Sequence, residues 1–147
     1  MTEPFDFQHA PAHLIRRAHQ IAVALFMEET ADFDVTPVQF ALLNALLQTP
    51  GIDQVTLSSR VAFDPATSGS VVGRLEARGW LRREMDPADK RRRLLWVTPE
   101  GEAAVQAMRG AVERVQQRLT APLSAAQRER FVALLGQLVA GHELVSE

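Results

Sequence analysis

The stretch from Gln54 to Thr98, QVTLSSRVAFDPATSGSVVGRLEARGWLRREMDPADKRRRLLWVT, decides the fold. Gln54 to Ala62 can make a short helix, Asp64-Pro65 reads as N-cap and first residue of the next, and Gly79 ends that one. Short helix, tight turn and helix make the helix-turn-helix pattern. Trp80 to Met85 and Arg92 to Val97 are extended candidates joined by Asp86-Pro87-Ala88-Asp89-Lys90-Arg91, which gives a two-stranded wing with a charged tip. Eight of the chain's 16 basic residues (Arg74, Arg78, Arg82, Arg83, Lys90, Arg91, Arg92, Arg93) fall between Arg74 and Arg93 in a 147-residue protein whose formal net charge is -2. Positive charge gathered in this way suits a polyanion-binding surface. A charge run alone is more often a solvated face; the helix-turn-helix before it and the strand alternation around it point instead to DNA.

The flanks read as helices. On the N-terminal side, Pro11 can open a first helix running to about Glu29, with Leu14, Ala18, Ile21 and Leu25 on one face. Its second half, Ile21 to Met27, is apolar nearly all round, so a single packing partner would leave part of it wet, which hints at a dimer. Thr36-Pro37-Val38-Gln39 has capping-box spacing and opens a second helix that Pro50-Gly51 ends. On the C-terminal side, Thr98-Pro99 starts a fifth helix on which Val105, Met108, Val112, Val115 and Leu119 form a coiled-coil-like seam. The alternative for that seam is an internal core stripe. Pro122 breaks the helix, and Ser124 with Gln127 makes a second capping box for a last helix carrying Phe131, Leu134, Leu135 and Leu138. The predicted fold is mainly α with a small β-hairpin, in the order α-α-α-α-β-β-α-α. One domain spans 1-147, with dimerisation helices at about 10-30 and 99-141 and a winged helix-turn-helix at about 36-98.

On a wheel of about 100° per residue, Ser68, Val72 and Leu75 of the fourth helix cluster on the side that packs inward. The opposite arc carries Ala66, Thr67, Ser70, Gly73 and Arg74. Small side chains let a helix sit deep in the major groove, where hydroxyls bond base edges or phosphates and Arg can grip guanine. Thr67, Ser70 and Arg74 are the base-reading candidates. Lys90 and Arg91 at the wing tip suit the minor groove, with Asp86 and Asp89 holding the turn. Arg78 is as well placed for a phosphate as for a structural pair. The full DNA-binding set is Thr67, Ser68, Ser70, Arg74, Arg78, Lys90, Arg91 and Arg92.

Composition excludes other classes. The chain has no Cys, which removes disulfides, thiolate metal sites, cysteine nucleophiles and thiol redox sensing. Neither a leader nor a membrane span is legible, so a cytoplasmic protein is expected. No catalytic motif stands above chance, so no enzyme is expected. His9 and His13 are spaced like two metal ligands but lack a third and fourth, and neither a metal nor a cofactor is expected.

The run from Arg74 to Gly101 resembles the signature of MarR-type bacterial transcriptional regulators. The features that carry it are Leu75-Glu76 and Arg78-Gly79 at the helix end, Asp89-Lys90-Arg91 at the wing tip, and Leu95 to Thr98 leading to Gly101. Lys90 departs from the pattern, where Arg is commoner; charge is kept but planar bidentate geometry is not. The resemblance, which covers essentially the whole chain, implies a homodimer whose first, fifth and sixth helices interlock and which presents two winged helices to successive turns of double-stranded DNA. It also implies release from DNA by a small aromatic acid bound between the dimer-forming helices and the winged lobe. For that effector the first helix offers His13, Arg16, His19 and Phe26, with His9 just upstream; Arg16 would pair the carboxylate, His13 or His19 bond it, and Phe26 face the ring. The alternatives are a DNA binder that answers to no ligand and a winged-helix protein-interaction module.

Overall fold

A computed structural model describes residues 2–61 and 65–143. The helices are α1 (Pro11–Glu29), α2 (Pro37–Gln48), α3 (Gln54–Arg60), α4 (Pro65–Ala77), α5 (Pro99–Leu119) and α6 (Ala125–Glu143); strands β1 (Leu81–Met85) and β2 (Arg93–Val97) lie between α4 and α5. The predicted order is met. Two 3-10 turns, Phe7–His9 and Ala31–Phe33, were not foreseen. The Asp64 cap falls outside the described residues.

Capping explains where the helices begin. Thr36 and Gln39 form the reciprocal capping box, each backbone N–H donating to the other's side-chain oxygen at 3.2 Å. Ser124 and Gln127 repeat it before α6. Thr98 Oγ1 accepts from Gly101 N at 3.1 Å, and Pro99 follows at a position whose N–H would be unpaired anyway. Gly79 ends α4 with φ 79°, and Gly51 follows α2 with φ 80°.

The wing is wider than the two strands read from the sequence. β1 and β2 pair antiparallel from Leu81 opposite Val97 to Met85 opposite Arg93. On the other side of β2, Gly51 N donates to Leu95 O at 2.8 Å and Leu95 N to Ile52 O at 3.0 Å, with a bridge from Asp53 to Leu94. Residues 51–53 thus tie the base of the wing to the start of α3. That stitching fixes the wing relative to the helix-turn-helix.

Two cores meet at shared aromatics. Leu42, Leu43, Leu46, Leu57, Val72, Leu75, Leu81, Leu95 and Val105 fill the winged lobe, and Phe26, Val35, Met108 and Val115 fill the second; Phe40 and Trp80 pack against both. Gly101 lets α5 enter this joint, because a Cβ there would stand 2.2 Å from the Trp80 carbonyl oxygen. The α5 stripe is filled within the chain: Val105, Met108, Ala111 and Val115 are buried, and α5 packs chiefly on α1. Of the predicted seam, Val105, Met108 and Val115 are thus buried within the chain, as in the internal stripe that stood as the alternative, while Val112 and Leu119 stay half-buried. No residue of α6 is buried, and Phe131, Val132, Leu134, Leu135, Leu138 and Val139 are all exposed. Among the described residues no helix is long and apolar enough to cross a membrane.

Candidate nucleic-acid interface

α4 divides as the wheel predicts. Val72 and Leu75 are fully buried, while Ala66, Thr67, Ser70, Arg74 and Ala77 are exposed and Gly73 is half-buried with open space where a Cβ would project. Ser68 requires a correction as a DNA contact. It is 1% exposed, its Oγ has no hydrogen-bond partner, and it faces the same interior as Val72. The outward strip is therefore small and weakly polar along its length, with a guanidinium at Arg74. A groove edge can approach such a surface closely.

The eight basic residues separate by what they already hold. Arg82 pairs with Glu84 and stacks on Trp96 at 4.6 Å from the ring centroid. Arg83 donates to Glu76 Oε1 at 3.0 Å and reaches Gln54 at 3.4 Å, which joins β1 to α4 and α3. Arg93 donates to the carbonyls of Lys90 and Arg92. Arg78 donates to the carbonyls of Phe33 and Asp34 and lies 3.7 Å over the Trp80 ring. The side chains of Arg74 and Lys90 have no partner among the described residues. Most of the charge run is thus tied down by the fold.

At the wing tip the acidic residues act as supports. Asp86, largely buried, accepts from Ala88 N at 2.9 Å, and Asp89 accepts from Arg91 N at 3.0 Å. Two backbone bonds, Asp89 N to Asp86 O and Arg92 N to Asp89 O, close the turn. Asp89 also accepts from Arg91 Nε at 3.3 Å, and these bonds hold its carboxyl below the ordinary range. The Arg91 side chain remains 91% exposed, aimed and solvated together. Arg92 turns the other way: its guanidinium meets Asp53 Oδ1 at 3.0 Å and Asp86 Oδ2 at 3.8 Å. Asp53 is the N-cap of α3, and the Thr56 hydroxyl and backbone N–H, with Arg92 after them, lower its carboxyl to about 2. Arg92 therefore ties the wing to α3 through Asp53 and braces the wing turn through Asp86, while its side chain stays 50% exposed.

The effector candidates on α1 are brought together only in part. Arg16 Nη2 lies 3.2 Å from His13 Nδ1, and His13 packs on Phe7 with ring centroids 4.5 Å apart. His19 is exposed on the same helix, whereas His9 pairs with Asp6 at 2.7 Å instead of joining His13. Phe26 is 6% exposed and tilts against Phe40 at 6.0 Å, so its ring belongs to the second core and does not lie open to a ligand. No group of three metal-binding side chains occurs among the described residues. Sequence reasoning missed the ion pairs that hold α1 to α5: Glu29 meets Arg114 at 2.9 Å and Arg118 at 3.0 Å, and Glu28 meets Arg118 at 3.3 Å. These partners lie 85 to 90 residues apart, beyond any local spacing rule.

Comparison with known proteins bears on this arrangement. Residues 33–92 match the model of the MarR family. The transcriptional regulator HosA of Escherichia coli O157:H7 is 36% identical over 127 residues, covering 86% of this chain and 93% of HosA. The HTH-type transcriptional repressor NicR of Pseudomonas putida is 30% identical over 140 residues, covering 95% of this chain and 89% of NicR. The structure of Bordetella bronchiseptica BpsR, whose DNA binding is regulated by 6-hydroxynicotinic acid, superposes with a TM-score of 0.87 at 36% identity, covering 93% of this chain and 98% of BpsR.

Proposed function

The chain belongs to the MarR family of transcriptional regulators, and on that premise we propose that it is a homodimeric repressor of a pseudo-palindromic operator, released by a small aromatic carboxylate. The observation that carries the DNA half is the separation of the cations. On the exposed small-residue face of α4 stands Arg74 and on the wing Lys90, both without a partner among the described residues, with the supported, exposed Arg91 beside Lys90. Thr67, Ser70 and Arg74 read bases in the major groove while Lys90 and Arg91 enter the adjacent minor groove. Arg78 and Arg92 hold the lobe together, and Ser68 lies buried inside it.

The exposed face of α6 supports the dimer. A 19-residue helix with no buried residue and an apolar row from Phe131 to Val139 would be poorly supported as a lone element. Leu14, Ile15, Ile21 and Met27 of α1 are also exposed, so a second copy can cover both helices at once. Two-fold symmetry then sets the recognition helices about one DNA turn apart. The whole chain works as one unit in the cytoplasm, where its operator is.

The likeness to BpsR supports an aromatic acid as effector. Arg16 offers the cation for its carboxylate, and His13 and His19 offer donors. His9 is engaged by Asp6 and Phe26 is covered, so the apolar wall for the ring comes from neighbours such as Val23 and from the second copy. Binding between the helices lowers DNA affinity by favouring a lobe spacing that does not match the groove.

Fluorescence polarisation tests the reading. The purified protein is titrated onto the intergenic DNA upstream of its own gene and onto a scrambled duplex, at two salt concentrations, with and without 6-hydroxynicotinic acid and related carboxylates. A preference for the upstream duplex that weakens steeply with salt and is relieved by one acid is the expected result. Equal affinity for both duplexes rejects the operator, and unrelieved binding rejects the effector class.

A further inference from the structure

The end of the recognition helix is gripped from two sides. On one side α5 holds it: Thr98 Oγ1 donates to the Gly79 carbonyl at 2.6 Å and Thr98 N to the Trp80 carbonyl at 3.0 Å. On the other, Arg78 reaches 44 residues back along the chain. Its two terminal nitrogens donate to the successive carbonyls of Phe33 and Asp34, in the turn after α1 where Asp34 takes the left-handed φ of 51°. The flat guanidinium lies on Trp80, which packs against both cores. A planar fork satisfies two neighbouring carbonyls and a ring face together; a Lys ammonium cannot.

We propose that Arg78 is a positioning residue that clamps the end of α4 to the turn after α1, and so sets the angle at which the recognition helix meets DNA. This rests on the DNA-binding reading given above. Each of its terminal nitrogens already gives one N–H to a backbone carbonyl, so a phosphate approaching through the same fork would compete with the clamp. The turn it holds, Ala31–Phe33, directly follows α1, the helix that carries Arg16 and His19. A shift of α1 is thereby passed to the end of α4 through one side chain. Being exposed, Arg78 can be replaced without opening a core.

The full-length protein and its Arg78→Gln and Arg78→Lys variants are titrated onto the upstream and scrambled duplexes across a salt series, and amide hydrogen exchange is followed at residues 31–35 and 76–80. With Gln, affinity for the upstream duplex should fall about tenfold, the cost of one misread base pair, while the scrambled duplex is bound as before. The dependence of log K on log salt should keep its slope, and Lys should fail to rescue. Exchange should rise at both segments together. A parallel loss on both duplexes with a slope shallower by about one per protomer would make Arg78 a phosphate contact, and rescue by Lys or unchanged binding would equally overturn the proposal. If the unmutated protein shows no preference for the upstream duplex, the operator reading fails. The clamp is then judged by exchange alone, supported by a joint rise and overturned by none.

Discussion

α5 and α6 are consecutive helices of similar length, each with an apolar stripe, and they meet opposite fates. α5 buries Val105, Met108, Ala111 and Val115 against its own chain, while α6 buries nothing. Periodicity is thus a statement that a face is to be covered, not of what covers it. α5 is covered because Gly101 allows its first turn to close on Trp80 and because Arg114 and Arg118 reach Glu29 on α1. α6, beyond the Pro122 turn, leaves its row for what we assign to a second copy.

The sharpest way to break that contrast is at the centre of each stripe. Met108→Ala should cost about 2–5 kcal/mol in urea unfolding, with the loss independent of protein concentration, because the side chain is fully buried within one chain. A loss that disappeared on dilution would move α5 to the subunit interface. Leu134→Glu on α6 should instead leave the monomer folded and weaken self-association about a hundredfold, read by sedimentation equilibrium. An unchanged association constant would remove α6 from the interface.

The glycines sharpen the same contrast. Gly101→Ala drives a methyl into the Trp80 carbonyl and should destabilise by about 1–3 kcal/mol. Gly136→Ala on α6 meets no protein atom of its own chain and should stabilise the monomer by up to about 1 kcal/mol. Thermal unfolding of the two variants side by side at low concentration reads this, and equal shifts would reject it.

The smallest effect concerns pH. Hydrogen bonds from Arg114 and then Arg118 lower the Glu29 carboxyl below its usual 4.5. The stabilisation from its ionised form is therefore complete above that value and disappears as pH falls through the folded-state pKa. Glu29→Gln should unfold more easily than the unmutated protein at neutral pH, with the gap closing in acid. A gap that persisted to low pH would show that the carboxylate charge is not what binds α1 to α5.

Much of this was legible from the chain. The boxes at Thr36 and Ser124, the Thr98-Pro99 start and the Gly79 stop depend on residues three or four apart, and the structure realises each. The outward strip of α4 followed from helical geometry alone, and so did the inward turn of Ser68. The third edge of the wing was not legible, because residues 51–53 are too few to show alternation. The division of labour among the cations was legible only in part: Arg74 was set apart on the outward face of α4 and Arg78 left between a phosphate and a structural pair, but the partners of Arg78 and Arg92 come from the folded chain.

By itself, then, the sequence determined the elements, their ends, the face α4 turns outward and the basic character of the DNA-binding lobe, since caps and faces are set by neighbours within a turn or two. The tertiary structure decided which apolar stripe is covered by its own chain and which cations stay free. Those outcomes depend on groups such as Arg92 and Asp53, 39 residues apart, or Arg78 and Asp34, 44 apart. No local spacing specifies that such groups will meet; the path of the whole chain brings them within hydrogen-bonding distance.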